Sequence, residues 1–248
     1  MHRFSKTTLS ILFVAIASAS HAACTAVSTS TRPHLVELYS SEGCSSCPPA
    51  ENWLRTLQTG ADVVPLEFHV DYWNDLGWPD RFSDARYTAR QQQQSRHDGG
   101  TSVFTPQVVL DGRNWSGWYR VGHLAPPEPG ALVLRIAAGD IQSSGVRVNI
   151  DAGEPTPGEF GKYRTYVALV EDGLSTQVRA GENRGALLHH DHVVRAFAGP
   201  LPLARAEAEL KWPANVLRDH ATIVAFAQEP DSGKVAQVVT LPLSQCAQ

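Results

Sequence analysis

The chain has no surplus of positive charge, almost no methionine, few cysteines, and no apolar run long enough to cross a bilayer. Lysine and arginine number 21 against 25 acidic residues, a formal net charge of −4. Without a basic surplus there is no broad patch to hold a phosphate backbone, so nucleic acid is not an expected partner. Only 19% of the 248 residues are charged and 42% are hydrophobic, which is globular and not disordered composition. One methionine against 19 glycines and 16 prolines leans toward strands and turns over long helices. No internal repeat, nucleotide-binding loop or long charge block is present. Four cysteines with a single C-x-x-C cannot build a four-thiolate zinc site.

Residues 1–23 read as a signal peptide. Arg3 and Lys6 supply the positive start, Leu9 to Ala17 the apolar stretch, and Ser20-His21-Ala22 a small-x-small cleavage site. The stretch is shorter than the ~20 apolar residues of a spanning helix, and no membrane span is expected. Its removal leaves 19 bases against 25 acids. Cys24 then lies near the new terminus, but His21-Ala22-Ala23 lacks the aliphatic residue of a lipid-attachment site. The expected location is therefore periplasmic or secreted, where disulfides persist. Cys24 and Cys246 stand at opposite ends of the mature chain, and chain termini often lie close together. The expected pairing is Cys24 with Cys246 and Cys44 with Cys47.

Downstream of His34, Leu35-Val36-Glu37-Leu38-Tyr39 reads as a short buried strand. Cys44-Ser45-Ser46-Cys47 follows, with Pro48 and Pro49 directly behind it. Proline is tolerated in the first turn of a helix, where its missing N–H costs little. Ala50, Trp53, Leu54 and Leu57 recur at helical spacing, and Gly60 stops the helix. The C-x-x-C thus sits on a strand-to-helix junction. A helix N-terminus stabilises a thiolate through its free N–H groups. The expectation is an exposed, attacking Cys44 and a resolving Cys47 one turn on. Further strands are expected over Val63 to Val70 and Val103 to Leu110, with a helix over Phe82 to Arg96. An Asp111-Gly112 turn and a last strand over Asn114 to Tyr119 follow.

That order resembles thioredoxin. Ser40 to Glu51, His69-Val70-Asp71-Tyr72-Trp73 with Leu76-Gly77-Trp78, and Thr105-Pro106-Gln107-Val108-Val109 are longer stretches of the same kind. They resemble a bacterial exported family known as domain of unknown function 1223, and the resemblance implies a thioredoxin-like fold. Glu182-Asn183-Arg184-Gly185, Leu188-His189 and Val193-Val194-Arg195 extend the likeness across most of the mature chain. The resemblance implies a cis bond at Thr105-Pro106 and a Pro106 that faces the cysteines. It implies no substrate. Trp73 and Trp78 are candidates for a substrate groove, against simple packing of a long loop over the sheet. Glu42 and Asp71 are candidates for proton transfer, against solvated loop carboxylates, and His69 reads first as a satisfied strand histidine.

After Ala125-Pro126-Pro127-Glu128-Pro129-Gly130 the pattern is all strand, with seven candidates to residue 243. In one of them, over Leu187 to Phe197, His190 and His192 would share a face opposite His189. Cross-strand polar pairing is the plainer reading of those two, a metal the bolder one. Asn183-Arg184-Gly185 has turn composition and is placed to reach the first domain. The expected fold is an α/β thioredoxin-like domain (33–124) followed by an all-β antiparallel sandwich (130–245). The expected function is thiol–disulfide exchange on exported proteins or peptides. Cys44, Cys47 and Pro106 would carry it, with Thr105, Trp73 and Trp78 in binding and no cofactor or metal. Two readings compete. One is a copper(I) carrier using both thiolates, with His69, His97 or His123 as the added ligand. The other is an interaction protein with an inert disulfide.

Overall fold

The computed structural model describes residues 24–120, 124–142, 144–153, 160–213 and 215–246. The expected signal peptide and His123 lie outside them. β1 (Cys24–Val27), β2 (Thr31–Arg32) and β3 (His34–Ser40) lead to α1 (Pro48–Leu54), β4 (Val63–His69) and α2 (Ala85–His97). β5 (Gln107–Leu110), β6 (Arg113–Asn114), β7 (Glu128–Pro129), β8 (Leu134–Gln142) and β9 (Gly145–Ala152) follow. β10 (Arg164–Glu171), β11 (Leu174–Gln177), β12 (Leu187–His190) and β13 (Val193–Pro202) come next. β14 (Arg205–Lys211), β15 (Ala221–Gln228) and β16 (Val235–Pro242) complete the order. No helix among the described residues is long and apolar enough to cross a membrane.

The expected α/β thioredoxin-like domain followed by an all-β antiparallel sandwich is not what forms. Sixteen strands against two α-helices make the described chain mostly β. Strands from both halves join one mixed eight-stranded sheet, ordered β16-β15-β10-β13-β4-β3-β5-β6. The seam is β13 beside β4, parallel, with Val193 level with Glu67. The Glu67 N–H donates to the His192 carbonyl across it at 2.7 Å. A second sheet, β1-β8-β9-β14, is antiparallel throughout.

Burial explains the joining. Every residue of β3 and of β4 is buried, the pattern of a strand covered on both faces. Such strands need a neighbour on each edge, and β13 supplies the one that β4 lacks. On one face Tyr39, Phe68, Tyr166, Phe226 and Val238 pack with Tyr87 of α2. On the other, Leu169, Ile223 and Leu241 meet Leu134, Ile136 and Val148 of the second sheet. Val36, Leu38, Ala50 and Leu54 form a third apolar cluster beneath α1. Glu67 and His69 alternate with Val64, Leu66 and Phe68 along β4, so they face away from the α2 side.

Local chemistry sets the ends. The Asp84 carboxylate caps α2 by accepting from the Arg86 N–H at 2.8 Å. Asp111 (φ 50°) and Gly112 (φ 83°) turn β5 into β6. A side chain at Gly112 would collide with the Gly233 carbonyl. The single strand expected over 187–197 is two strands. They are split at Asp191-His192, where His192 is left-handed (φ 64°) and its N–H donates to the Asp172 carboxylate at 2.7 Å.

Candidate functional site

Cys44 and Cys47 are joined by a disulfide, with Cα atoms 5.5 Å apart. Cys47 is the N-cap of α1, and its carbonyl accepts from the Ala50 and Glu51 N–H groups at 2.9 and 3.2 Å. Pro48 and Pro49 occupy the first turn, where an N–H would have no partner within the helix. Ser46 Oγ lies 3.4 Å from Cys44 Sγ.

Exposure is where expectation and structure part. Cys44 was expected to lie open, yet both cysteines are 0% exposed. Ser45 and Ser46 between them are exposed. The cover is the connection between β11 and β12. The Asn183 side-chain amide donates to the carbonyls of Glu42 (2.9 Å) and Cys44 (3.0 Å). Glu182 accepts from the Ser45 N–H (3.1 Å) and hydroxyl (2.7 Å). Those Ser45 donors hold the Glu182 carboxyl below its usual range. The cover is flanked by Gly181 (φ 72°) and Gly185 (φ 91°), where a side chain would be strained.

Beside the cysteines lies a buried polar cluster drawn from five segments. Glu42 comes from the loop before Cys44, Glu51 from α1, Glu67 and His69 from β4, Asp80 from the following loop and His190 from β12. All are 4% exposed or less. His69 Nδ1 lies 2.7 Å from Asp80 Oδ2, which also accepts from the Glu42 N–H at 2.8 Å. His69 Nε2 lies 3.2 Å from Glu67 Oε1. His190 Nδ1 stands 3.6 Å from Glu67 Oε1 and 3.8 Å from Glu51 Oε2, and its Nε2 3.6 Å from Glu42 Oε1. These last three are ion-pair separations too long for hydrogen bonds.

Burial and mutual charge pull the groups apart in acidity. Burial opposes a charge on His69, but Asp80 and Glu67 outweigh it and hold the imidazole well above its usual range. Burial likewise opposes the His190 cation, but Glu42 and Glu67 raise it to about 9. Burial would lift Glu67, yet the two histidines bring it down to about 2. Burial and then the Glu67 charge push Glu51 up to about 7.

The other candidates fall as follows. The Thr105–Pro106 bond is cis. The Trp73 indole N–H donates to Thr105 Oγ1 at 2.8 Å, and the Trp73 Cβ borders Gly43 of the cysteine loop. The Trp78 indole N–H donates to Glu42 Oε2 at 2.7 Å. Glu42 is therefore no solvated loop carboxylate. Asp71 accepts from the Thr88 hydroxyl at 2.5 Å. His97 bonds Gln94 and the Pro230 carbonyl. His192 parts from His190 at the turn and meets the Leu57 carbonyl at 3.0 Å. Cys24 and Cys246 are disulfide-bonded across 222 residues. Glu51, Glu67 and Asp80 escaped the reading of the sequence. The available signal was Glu67 and His69 in an otherwise apolar strand, two positions apart and so on one face.

A family model described as a protein of unknown function, DUF1223, matches residues 35–228. No curated protein matches the chain. Among solved structures, a crystal structure of a protein from Agrobacterium tumefaciens is similar at a TM-score of 0.58 and 24% identity. That likeness covers 89% of this chain and 98% of the other. HBP35 of Porphyromonas gingivalis is similar at a TM-score of 0.58 and 10% identity, over 88% of this chain and 77% of the other. At these identities the likeness is one of fold alone.

Proposed function

The chain belongs to the DUF1223 family, proteins of unknown function, and from its site we propose that it exchanges disulfides with exported proteins or peptides through Cys44 and Cys47. The observation that carries this reading is a disulfide at the start of a helix whose partners are only three positions apart in sequence. In the chain-entropy model so short a loop stabilises the fold by about 2 kcal/mol, against about 5 kcal/mol for a loop as long as the Cys24–Cys246 one. As a staple, the short bridge contributes little beside the long one. Pro48 and Pro49 bring no N–H to the first turn and the Ala50 and Glu51 N–H groups are taken by the Cys47 carbonyl, so it is the helix dipole alone that favours the thiolate released when the bond opens.

The exchange runs as follows. A partner thiolate attacks Cys44 Sγ, the Cys44–Cys47 bond breaks, and Cys47 leaves as a thiolate. The partner's second thiolate then attacks its own sulfur in the mixed disulfide and releases Cys44. Two electrons pass from the partner dithiol to the pair, and the partner leaves as a disulfide. The reverse sequence reduces a partner disulfide. Because both sulfurs are covered, the Glu182-Asn183 segment must lift before either event. Trp73, Thr105 and Pro106 then border the approach, and Trp78 holds Glu42 at its base. Two disulfides suit a periplasmic or secreted location.

The test is a Cys47→Ala chain in its producing cell. A covalent adduct through Cys44 is expected, released by reductant and missing when Cys44 is also replaced. Absence of any adduct, with Cys44 alkylated only after unfolding, would leave the bridge as an inert clasp. Stoichiometric copper(I) on the reduced pair would favour the carrier instead.

A further inference from the structure

We propose that Glu67, His69 and His190, with Glu51 as fourth ligand, form a binding site for a divalent transition-metal ion of the zinc class. The site is separate from the cysteines and does not depend on their chemistry. One donor atom from each of Glu67, His69 and His190 lies within 4.8 Å of the other two, and all three residues are 0% exposed. Burial alone does not make a ligand site. The decisive feature is which atoms are satisfied and which are not.

His69, Glu51 and Glu42 each have one polar atom tied by a hydrogen bond and another left over. His69 Nδ1 is tied to Asp80, and its Nε2 has no hydrogen-bond partner. Glu51 Oε1 accepts from the Ser40 hydroxyl at 2.5 Å, and its Oε2 faces His190 Nδ1. Glu42 Oε2 accepts from Trp78, and its Oε1 is unpartnered and faces His190 Nε2. Both oxygens of Glu67 and both nitrogens of His190 are unpartnered. Buried polar atoms without partners are costly, and here they converge.

The spacing fits a metal better than it fits hydrogen bonds. Nitrogen and oxygen donors at ~2.0–2.1 Å from a tetrahedral zinc stand about 3.4 Å from one another. The separations are 3.2 Å for His69 to Glu67, 3.6 Å for His190 to Glu67 and 3.8 Å for His190 to Glu51. His190 Nε2 stands at an ion-pair distance from Glu42, and His69 shares its Nδ1 with the Asp80 carboxylate at 2.7 Å. That is how metal-bound histidines are commonly held in one tautomer. Two neutral imidazoles and two carboxylates neutralise a divalent ion, and this nitrogen–oxygen set suits zinc, iron(II) or cobalt(II) over copper(I). His190 follows Asn183 on the β11–β12 unit, so a bound ion would also anchor the segment that covers the disulfide.

The experiment uses the oxidised chain without a histidine tag, so that no free thiol can ligate. It is incubated with excess Zn²⁺ or Co²⁺, desalted, and its metal counted by elemental mass spectrometry. One ion per chain is expected, with Co²⁺ giving the visible bands of a four-coordinate site and no sulfur-to-cobalt band. Glu67→Gln and His190→Ala should each lose the ion. Asp80→Asn, which would touch no metal, should weaken binding about 10- to 100-fold. If His190→Ala does not fold by near-ultraviolet dichroism, the isosteric Glu67→Gln decides alone. Failure of the folded wild-type chain to retain either ion overturns the proposal. So does retention undiminished in Glu67→Gln. Neither result bears on adduct formation at Cys44, so the two readings fail separately.

Discussion

Asn183→Ala tests the cover directly. The Asn183 amide makes two hydrogen bonds, to the Glu42 and Cys44 carbonyls. Each contributes a net ~1 kcal/mol, and the Glu42 carbonyl left behind loses this partner while the segment is closed, the Cys44 carbonyl keeping the Cys47 N–H at 3.2 Å. Both effects favour the open form, by about 2 kcal/mol together. With tenfold per ~1.4 kcal/mol, the open population rises about 30-fold. When closing is faster than attack, the reaction rate follows that population. The assay is the rate at which a bulky phosphine reduces Cys44–Cys47 in the folded chain, read as the mass added by alkylation. A rise of about 30-fold is expected, and a smaller one for Glu182→Ala, whose bonds to Ser45 are exposed. An unchanged rate in Asn183→Ala would mean that the segment does not control access.

Three further outcomes concern the frame. Cys24→Ser should lower stability by up to ~5 kcal/mol in urea, without changing the reduction rate of Cys44–Cys47. Arg90 reaches the fully buried Glu37 at 2.6 and 2.9 Å, among the rings of Phe68, Tyr166, Phe197 and Phe226. Arg90→Met leaves that carboxylate with only the Tyr39 hydroxyl and the Gln94 amide as donors and should cost about 3–5 kcal/mol, and adding Glu37→Leu should recover little of it, because those two buried donors then lose their acceptor. Asp84→Ala should cost ~1 kcal/mol through loss of the α2 cap. The Arg86 side chain, against the opposing effect of burial, holds the Asp84 carboxyl below its usual 3.8. Its charge therefore stabilises the fold above that pH and ceases to as pH falls through the lower folded value. Asp84→Asn should match wild type in strong acid and fall behind it toward neutrality. A constant difference across that range would contradict the assignment.

The strand before the cysteines, the helix behind the paired prolines and the Asp111-Gly112 turn were readable because each depends on adjacent residues. Their signals are apolar runs, a proline-tolerant first turn and a left-handed pair. The large sheet was not readable. Nothing in the periodicity of Val193 to Phe197 says that it lies parallel to β4, since a strand buried on both faces carries no mark of which neighbour it takes. The same pairing defeated the expected exposure of Cys44. The β11–β12 unit reaches a site 139 residues before Asn183 in the chain, and only that polar residue hinted at a contact. Glu67 and His69 did carry a signal, as charged groups inside an apolar strand. Their partners Glu51 and Asp80 look ordinary until the fold brings them together, and His190 stood out only in company with His192. His190 and His192 show the limit of period-two reasoning: one left-handed residue sent them to different neighbours.

The central claim is that Cys44–Cys47 is a working redox bond and Cys24–Cys246 a structural one. Equilibration of the folded wild-type chain in glutathione buffers of graded ratio, followed by acid quench, alkylation and mass analysis, measures both at once. The account predicts that Cys44–Cys47 opens and closes reversibly within the range glutathione can set, while Cys24–Cys246 stays closed throughout. If both bridges resist reduction until the chain unfolds, the claim is wrong.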